Sequence, residues 1–259
     1  MSDFRVENTT LTDSPRTVSD EPFVYQHIRV QRLGLPELAA HIAVAAAAAR
    51  ALFGVEFRPD LRLTDSLCRQ MLIRNRYPGD MASCIEMRLR ASGDVTYRCG
   101  EIFLHEGLAL RSVRPEAVTI CYDLPFGEAP HSARLAAHAV AAAEAQRRGC
   151  RAVVRCNAQG MAATADDSPL FAVFGRRIVT PPAPASVERD RVVRAAAAAG
   201  YRLDEVPVGR NELARADELF YSDCRGITAL ASCDGRTYAD IIARRVADAI
   251  QNSGFKIQN

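Results

Sequence analysis

Hydrophobic positions change their period several times along this chain. Phe23 to Val30 reads as a short strand. Glu86 to Ala91 alternates, with Met87 and Leu89 on one side and Arg88 and Arg90 on the other, the pattern of a half-buried strand. Val95 to Cys99, Glu101 to Leu104 and Ala117 to Tyr122 continue in the same manner. Between them lie helical stretches: Pro36 to Ala51, closed by Gly54, and a second helix that Asp65 is expected to cap and Pro78-Gly79 to close. The texture then changes. Asp123 to Ser132 holds two prolines and a glycine, a connector by composition, and an Ala-rich helix follows from Ala133 to Arg148. Ala152 to Cys156, Leu170 to Phe174 and Arg177 to Thr180 read as strands, the last two as a hairpin. Ser186 can cap a helix over 187–199, and Val206 to Val208, Glu218 to Ser222 and Ile227 to Ala231 are short strands. Thr237 to Asp240 forms a capping box for a final helix.

The pattern gives an α+β protein in two halves. Residues 1–21 are polar and aperiodic and are expected to be a flexible arm. Residues 22–122 form a smaller α+β domain, 123–131 the connector, and 132–259 a larger α+β domain. A chain of 259 residues with 48% hydrophobic content can bury one large core or two modest ones. The net charge of +2 gives no electrostatic case for nucleic acid or an anionic membrane as partner. The amino-terminal stretch has no apolar core of a signal peptide, so a cytoplasmic location is expected. The eight cysteines include no C-x-x-C pair and the five histidines no H-E-x-x-H, so no metal site is expected. One count stands out. The 33 basic residues include a single lysine, Lys256, in the polar carboxy-terminal tail. Chemistry that needs an interior amine nucleophile has no residue to use.

Several weak motifs, taken in order, resemble the class IV aminotransferases, the fold-type IV enzymes of pyridoxal phosphate that include branched-chain and D-amino-acid aminotransferases and aminodeoxychorismate lyase. Glu144 to Gly149 resembles the family's helix end. Leu170-Phe171 with Gly175, Val179-Thr180 and Pro181-Pro182 resembles its "N-L-F…dG…TPP". Ala216-Asp217-Glu218 with Phe220 resembles "ADEvF", and Asp234-Gly235 the late "iDG". Ile28-Arg29, His41 and Arg88 match the first half more loosely. The resemblance runs from about residue 23 to the end. It implies a two-domain, D-amino-acid aminotransferase-like architecture, a homodimer, and a ligand cleft between the domains.

The departures from the family pattern are mutually consistent. Counting back from Glu144, the family's Schiff-base lysine falls at or beside His131, and imidazole forms no stable imine with an aldehyde. The glutamate that meets the pyridine nitrogen becomes Thr164, and Pro169 replaces the asparagine. The family's phosphate-binding helix start and loop become Ser186-Val187-Glu188-Arg189 and Ser222-Asp223-Cys224-Arg225. Glu188 and Asp223 thus bring two carboxylates to a place suited to a phosphate dianion. Arg29 remains at a family phosphate-binding arginine.

From this follows the expectation of a scaffold without a cofactor that does not transaminate. It would bind a small anionic, carboxylate-bearing ligand through Arg29, Arg134, Thr164, Glu188, Arg189, Ser222, Asp223, Cys224 and Arg225. The alternatives are an enzyme without pyridoxal phosphate that uses His131 as acid/base, or a conventional aminotransferase or lyase. His131 also admits a plain reading as a helix-capping side chain.

Overall fold

A computed structural model describes residues 3–14, 19–103 and 110–254. The chain divides into two compact units, Met1–Glu106 with Ala129–Arg134, and Gly107–Glu128 with Leu135–Asn259.

The first unit contains β1 (Arg5–Glu7), β2 (Thr10–Thr12), β3 (Phe23–Val30), α1 (Leu38–Phe53), α2 (Leu61–Arg74), β4 (Ala82–Arg90) and β5 (Val95–Phe103). Its five strands form an antiparallel sheet in the order β2-β1-β5-β4-β3. In α1, Leu38, Ile42, Ala45 and Ala49 recur at helical spacing and are buried. They pack in one core with Val24, Ile28, Ile85, Met87 and Leu89. Gly54 ends α1 at φ 69°, and its N–H returns to Arg50 O, so the residue that closes the helix is one that adopts the left-handed region without strain.

Two expectations change here. The segment expected to be a flexible arm supplies β1 and β2. Val6 is fully buried, Phe4 and Leu11 pack on the core, and the Asn8 side chain holds Val95 N–H. Three apolar positions spread over eight residues are too few to show a period. The second helix starts at Leu61, because Asp60 Oδ1 accepts from Arg62 and Leu63 N–H at 2.9 and 3.1 Å. Asp65 lies one turn inside and pairs with Arg69 at 2.6 Å.

The second unit begins with β6 (Glu116–Cys121), and α3 (Ser132–Arg147) leads to β7 (Ala152–Cys156), β8 (Ala162–Ala165), β9 (Ser168–Phe174) and β10 (Arg177–Thr180). Then come α4 (Val187–Ala198), β11 (Arg202–Glu205), α5 (Arg210–Leu213), β12 (Glu218–Asp223), β13 (Gly226–Ala229), β14 (Ser232–Cys233), β15 (Arg236–Thr237) and α6 (Ile241–Gly254). The strands form one mixed sheet, β11-β10-β9-β8-β7-β6-β14-β15, with β12 paired to both β9 and β13. Ala141 and Ala145 of α3 pack on Val118 and Val153. Val192 and Ala196 of α4 and Val246 and Ile250 of α6 share a core with the stacked rings of Phe171 and Phe220, whose centroids are 5.0 Å apart.

The capping box expected before α6 is replaced by a distant group. The buried Glu218 carboxylate accepts from Ile242 N at 2.8 and 3.0 Å and from Ala243 N at 2.9 Å. A negative side chain at the positive end of α6 stabilises both the orphan N–H groups and the helix dipole. Among the described residues no helix is long and apolar enough to cross a membrane.

Candidate functional site

The polar residues of the second unit meet around two turns. The β8–β9 hairpin turns through Asp166 and Asp167, both left-handed at φ 48° and 61°, as a two-residue hairpin with this twist requires. Short acidic side chains tolerate that region better than bulkier ones. The turn brings the Asp166 carboxylate to His138 of α3, Nε2 to Oδ1 being 3.6 Å, and to Tyr221 of β12, whose hydroxyl donates at 3.4 Å. Burial raises the Asp166 pKa above the ordinary carboxylate range. His138 and Arg225 act against that rise, Asp223 adds to it, and Tyr221 opposes it.

The β12–β13 turn carries Asp223, Cys224 and Arg225. Asp223 accepts from Arg225 N at 2.7 Å, Nε at 2.8 Å and Nη2 at 2.6 Å. Burial works against the Arg225 charge, and the Asp223 carboxylate outweighs it, so the guanidinium pKa is held above its usual value. Cys224 is buried. Ser222 is fully buried, and its Oγ has no hydrogen-bond partner among the described residues. Arg191 of α4 reaches this turn, Nη1 to Asp223 O at 3.5 Å.

At the start of α4, Ser186 Oγ accepts from Arg189 N at 3.4 Å and donates to Glu188 at 2.8 Å. Arg189 is buried, ion-paired with Glu205 and bonded to Ala183 O at 3.0 Å. The two carboxylates expected to confront a bound anion are therefore engaged locally, Glu188 by Ser186 and Asp223 by Arg225. Thr164 is buried on β8, in register with Arg155 of β7. Arg155 is itself buried, ion-paired with Glu128 and 5.7 Å from the Tyr122 ring centre.

Arg155, Asp166 and His138 lie outside the residue set expected from sequence. The signals were present as a lone arginine inside the apolar run Ala152 to Cys156 and as the Asp-Asp pair between two strands. A charge inside a fully buried strand marks a place where a partner must exist.

Arg29, His131 and Arg134 belong to the first unit. Arg29 is buried on β3 with its guanidinium 5.6 Å from the Phe103 ring centre. His131 is buried, bridges to Val24, and immediately precedes α3. Its Nδ1 accepts from Arg134 N at 3.2 Å. An N–H can only donate, so Nδ1 presents its lone pair, and a neutral ring carries its proton on Nε2. Lys256 lies outside the described residues. Among the described residues no cluster of three or more His, Cys, Asp or Glu is arranged to hold a metal ion.

The order of strands and helices, with these turns at their ends, defines a fold-type IV scaffold. The family model for amino-transferase class IV matches residues 24–232, and the chain belongs to that family. It is similar to a branched-chain aminotransferase from Thermoproteus uzoniensis solved with norvaline, with a TM-score of 0.82 at 18% identity over 99% of this chain and 97% of that one. It is similar to an aminotransferase from Brucella abortus bound to pyridoxal phosphate, with a TM-score of 0.80 at 19% identity over 97% and 98%. A third likeness is a hypothetical aminotransferase from Mycobacterium tuberculosis in its α-ketoglutarate and pyridoxamine phosphate form, with a TM-score of 0.79 at 16% identity over 96% and 99%. None of the curated proteins matches the sequence.

These likenesses correct the expectation of a scaffold without a cofactor. The Brucella structure is bound to pyridoxal phosphate and the Mycobacterium structure to pyridoxamine phosphate, so the class is one of cofactor-binding proteins. That expectation extended the loss of one amine to the loss of the whole ligand, which does not follow. A covalent Schiff-base link to such a group does not fit the described residues, which contain no lysine. Non-covalent holding has a polar atom to use, the buried Ser222 Oγ.

Proposed function

We propose that this class IV aminotransferase-fold protein does not carry out lysine-dependent transamination. Its second unit instead holds a small carboxylate-bearing anion at Ser222 and Arg225. The observation that carries the reading is His131. It lies at or beside the place where the resemblance puts the family lysine, and its Nδ1 lone pair is engaged by the first turn of α3. The anion is supported by the buried hydroxyl of Ser222 beside the turn that carries Arg225. Arg225 stands on that turn with its guanidinium held by Asp223 through Nε and Nη2, and charge-assisted bonds from a guanidinium to a carboxylate are the strong ones. A cytoplasmic homodimer is the compartment and assembly that accompany this reading.

Two measurements test it. Purified protein supplied with pyridoxal phosphate, norvaline and α-ketoglutarate is expected to give no amino transfer; turnover overturns the reading, and mapping a borohydride-fixed adduct to Lys256 would identify the amine responsible. Calorimetric titration with α-ketoglutarate alone is expected to show binding that Arg225→Met weakens about tenfold. A flat titration of the wild-type protein, or equal affinity in the variant, rejects the anion site.

A second reading, acid–base catalysis, rests on the contact between His138 and Asp166, a pair able to share a proton. It transfers the acid–base role from His131 to a histidine two turns further along α3.

A further inference from the structure

Two cysteines meet at the ends of neighbouring strands in the second unit. β6 and β7 run parallel, and their register pairs Ala117 with Ala152 and, at the far end, Cys121 with Cys156. The pairing holds past that point, because Tyr122 N donates to Cys156 O at 2.9 Å. Side chains alternate across a sheet, so Cys121 shares the face of Ala117 and Thr119, and Cys156 that of Ala152 and Val154. Ala117, Ala152, Val154 and Cys156 belong to one core, which puts both sulfurs on the same face. Paired strands lie about 4.8 Å apart, and a disulfide spans about 4.4–6.8 Å between Cα atoms. The Cys156 thiol is within hydrogen-bonding reach of Cys121.

The two thiols differ in access. Cys121 is exposed, Cys156 is fully buried, and both are free. Burial pushes the Cys156 thiol up to about 11, Cys121 adds to the rise, and the charge of Arg210 opposes it. Arg210 is held by Asp234 through Nε at 3.2 Å and Nη2 at 2.9 Å, and Asp234 accepts from Thr119 N at 2.9 Å and Thr119 Oγ1 at 2.5 Å. The chain that follows each cysteine is also tied down, Ala158 N donating to Asp123 Oδ1 at 3.0 Å. The nearby cysteines are out of register with this pair. Cys233 stands beside Ala117, at the opposite end of β6 from Cys121. Four residues at about 3.3 Å each separate the two levels by about 13 Å. Cys150 precedes the start of β7, and Cys156 ends that strand.

We propose that Cys121 and Cys156 form a peroxide-reactive dithiol, in which the exposed Cys121 is oxidised first and the buried Cys156 resolves it to a disulfide between β6 and β7. The Cys121 sulfur attacks one oxygen of hydrogen peroxide and the O–O bond breaks. The other oxygen leaves as water with the thiol proton, and Cys121 becomes a sulfenic acid. The Cys156 sulfur then attacks the Cys121 sulfur. The S–S bond forms, the S–O bond breaks, and the hydroxyl leaves as a second water with the Cys156 proton. Two electrons pass from the sulfur pair to the peroxide, which ends as two waters. Holding the sulfurs together makes the second step intramolecular, and a dithiol reductant returns both thiols by exchange.

The test treats the full-length protein with hydrogen peroxide, blocks the remaining thiols with iodoacetamide and digests with trypsin in the absence of reductant. Cleavage after arginine puts Cys121 in peptide 112–134 and Cys156 in peptide 156–176, each with a single cysteine. These two peptides are expected to appear linked, lighter than their sum by two hydrogens and separable by dithiothreitol. The link is expected to exceed any other cysteine cross-link about tenfold, because its partners are already in register. Cys156→Ala is expected to hold Cys121 as the sulfenic acid, trapped by dimedone in peptide 112–134. Cys121→Ser, at an exposed position, is expected to leave Cys156 unoxidised at the same dose. The proposal is overturned if the folded wild-type protein gives no link between these peptides. It is equally overturned if Cys121 links to another cysteine or to a second chain, or if Cys156 is oxidised as readily in Cys121→Ser. If Cys156→Ala does not fold, the wild-type digest and Cys121→Ser still decide. No readout involves a ligand at Ser222 or Arg225, so the two proposals stand or fall separately.

Discussion

At the scale of single residues, Asp166 connects structure most directly to a measurable property. Its carboxyl is desolvated, and that penalty outweighs the help of His138, Arg225 and Tyr221. A carboxyl whose folded pKa is raised holds its proton more tightly in the folded protein than in the unfolded chain. Stability is then lost as pH rises above the unfolded value of about 3.9 and the group is forced to ionise. Asp166→Asn removes that cost and keeps a side chain suited to the left-handed turn. The variant is expected to melt higher than the wild-type protein at pH 7, with the advantage vanishing below about pH 4, as read by thermal unfolding across that range. A variant that melts lower at pH 7 would mean that the pair with His138 is worth more than the burial it requires. His138→Ala is expected to raise the Asp166 pKa further, since the imidazole favours the ionised carboxylate. Carboxyl carbon NMR reads that shift directly.

At the scale of elements, α6 depends on a residue far from it in sequence. Glu218 places its carboxylate on two N–H groups of the first turn. Glu218→Ala leaves both donors buried without a partner and is expected to cost about 3 kcal/mol in urea unfolding. Glu218→Gln, which keeps an acceptor oxygen, is expected to cost about half as much, with amide exchange quickening first at Ile242 and Ala243. This cap also shows where the sequence can be read and where it cannot. Elements with their own local signal were legible: the alternation of β4, the helical spacing of α1 with Gly54 at its end, and Ser186 before α4. Elements that exist because a distant partner covers them were not. β1 is held by β5, β8 is a four-residue strand between two neighbours, and α6 is capped by β12 rather than by its own box. The same division applies to the candidate site. Ser222, Asp223 and Arg225 sit together on one turn and could be read together. The contact of Asp166 with His138 needs the fold to bring residues 28 positions apart into reach, and no local pattern announces it.

At the scale of the whole molecule, the chain belongs to an aminotransferase family, while its described residues contain no lysine. Near 18% identity to structures with TM-scores of 0.78 to 0.82, the likeness constrains the fold and leaves the chemistry to individual side chains. His131→Lys asks whether the rest of the scaffold still supports the lost link. The substitution removes the ring nitrogen that accepts from Arg134 N–H, so a loss of about 1 kcal/mol is expected from the weakened helix start. It also places an amine at the family position. If the surrounding residues have kept the geometry of that site, incubation with pyridoxal phosphate followed by borohydride is expected to fix the cofactor's carbon to residue 131 of the variant, detected by peptide mass spectrometry. If they have drifted, the variant folds, with the same far-ultraviolet spectrum, and no label appears at 131. The first result would show that one side chain separates this scaffold from the covalent link. The second would distribute it over Thr164, Pro169 and the turn of Asp223 and Arg225 as well. Combining His131→Lys with Thr164→Glu then tests whether the partner residue is the next requirement. Labelling that rises only in the double variant would show that the two positions act as a unit.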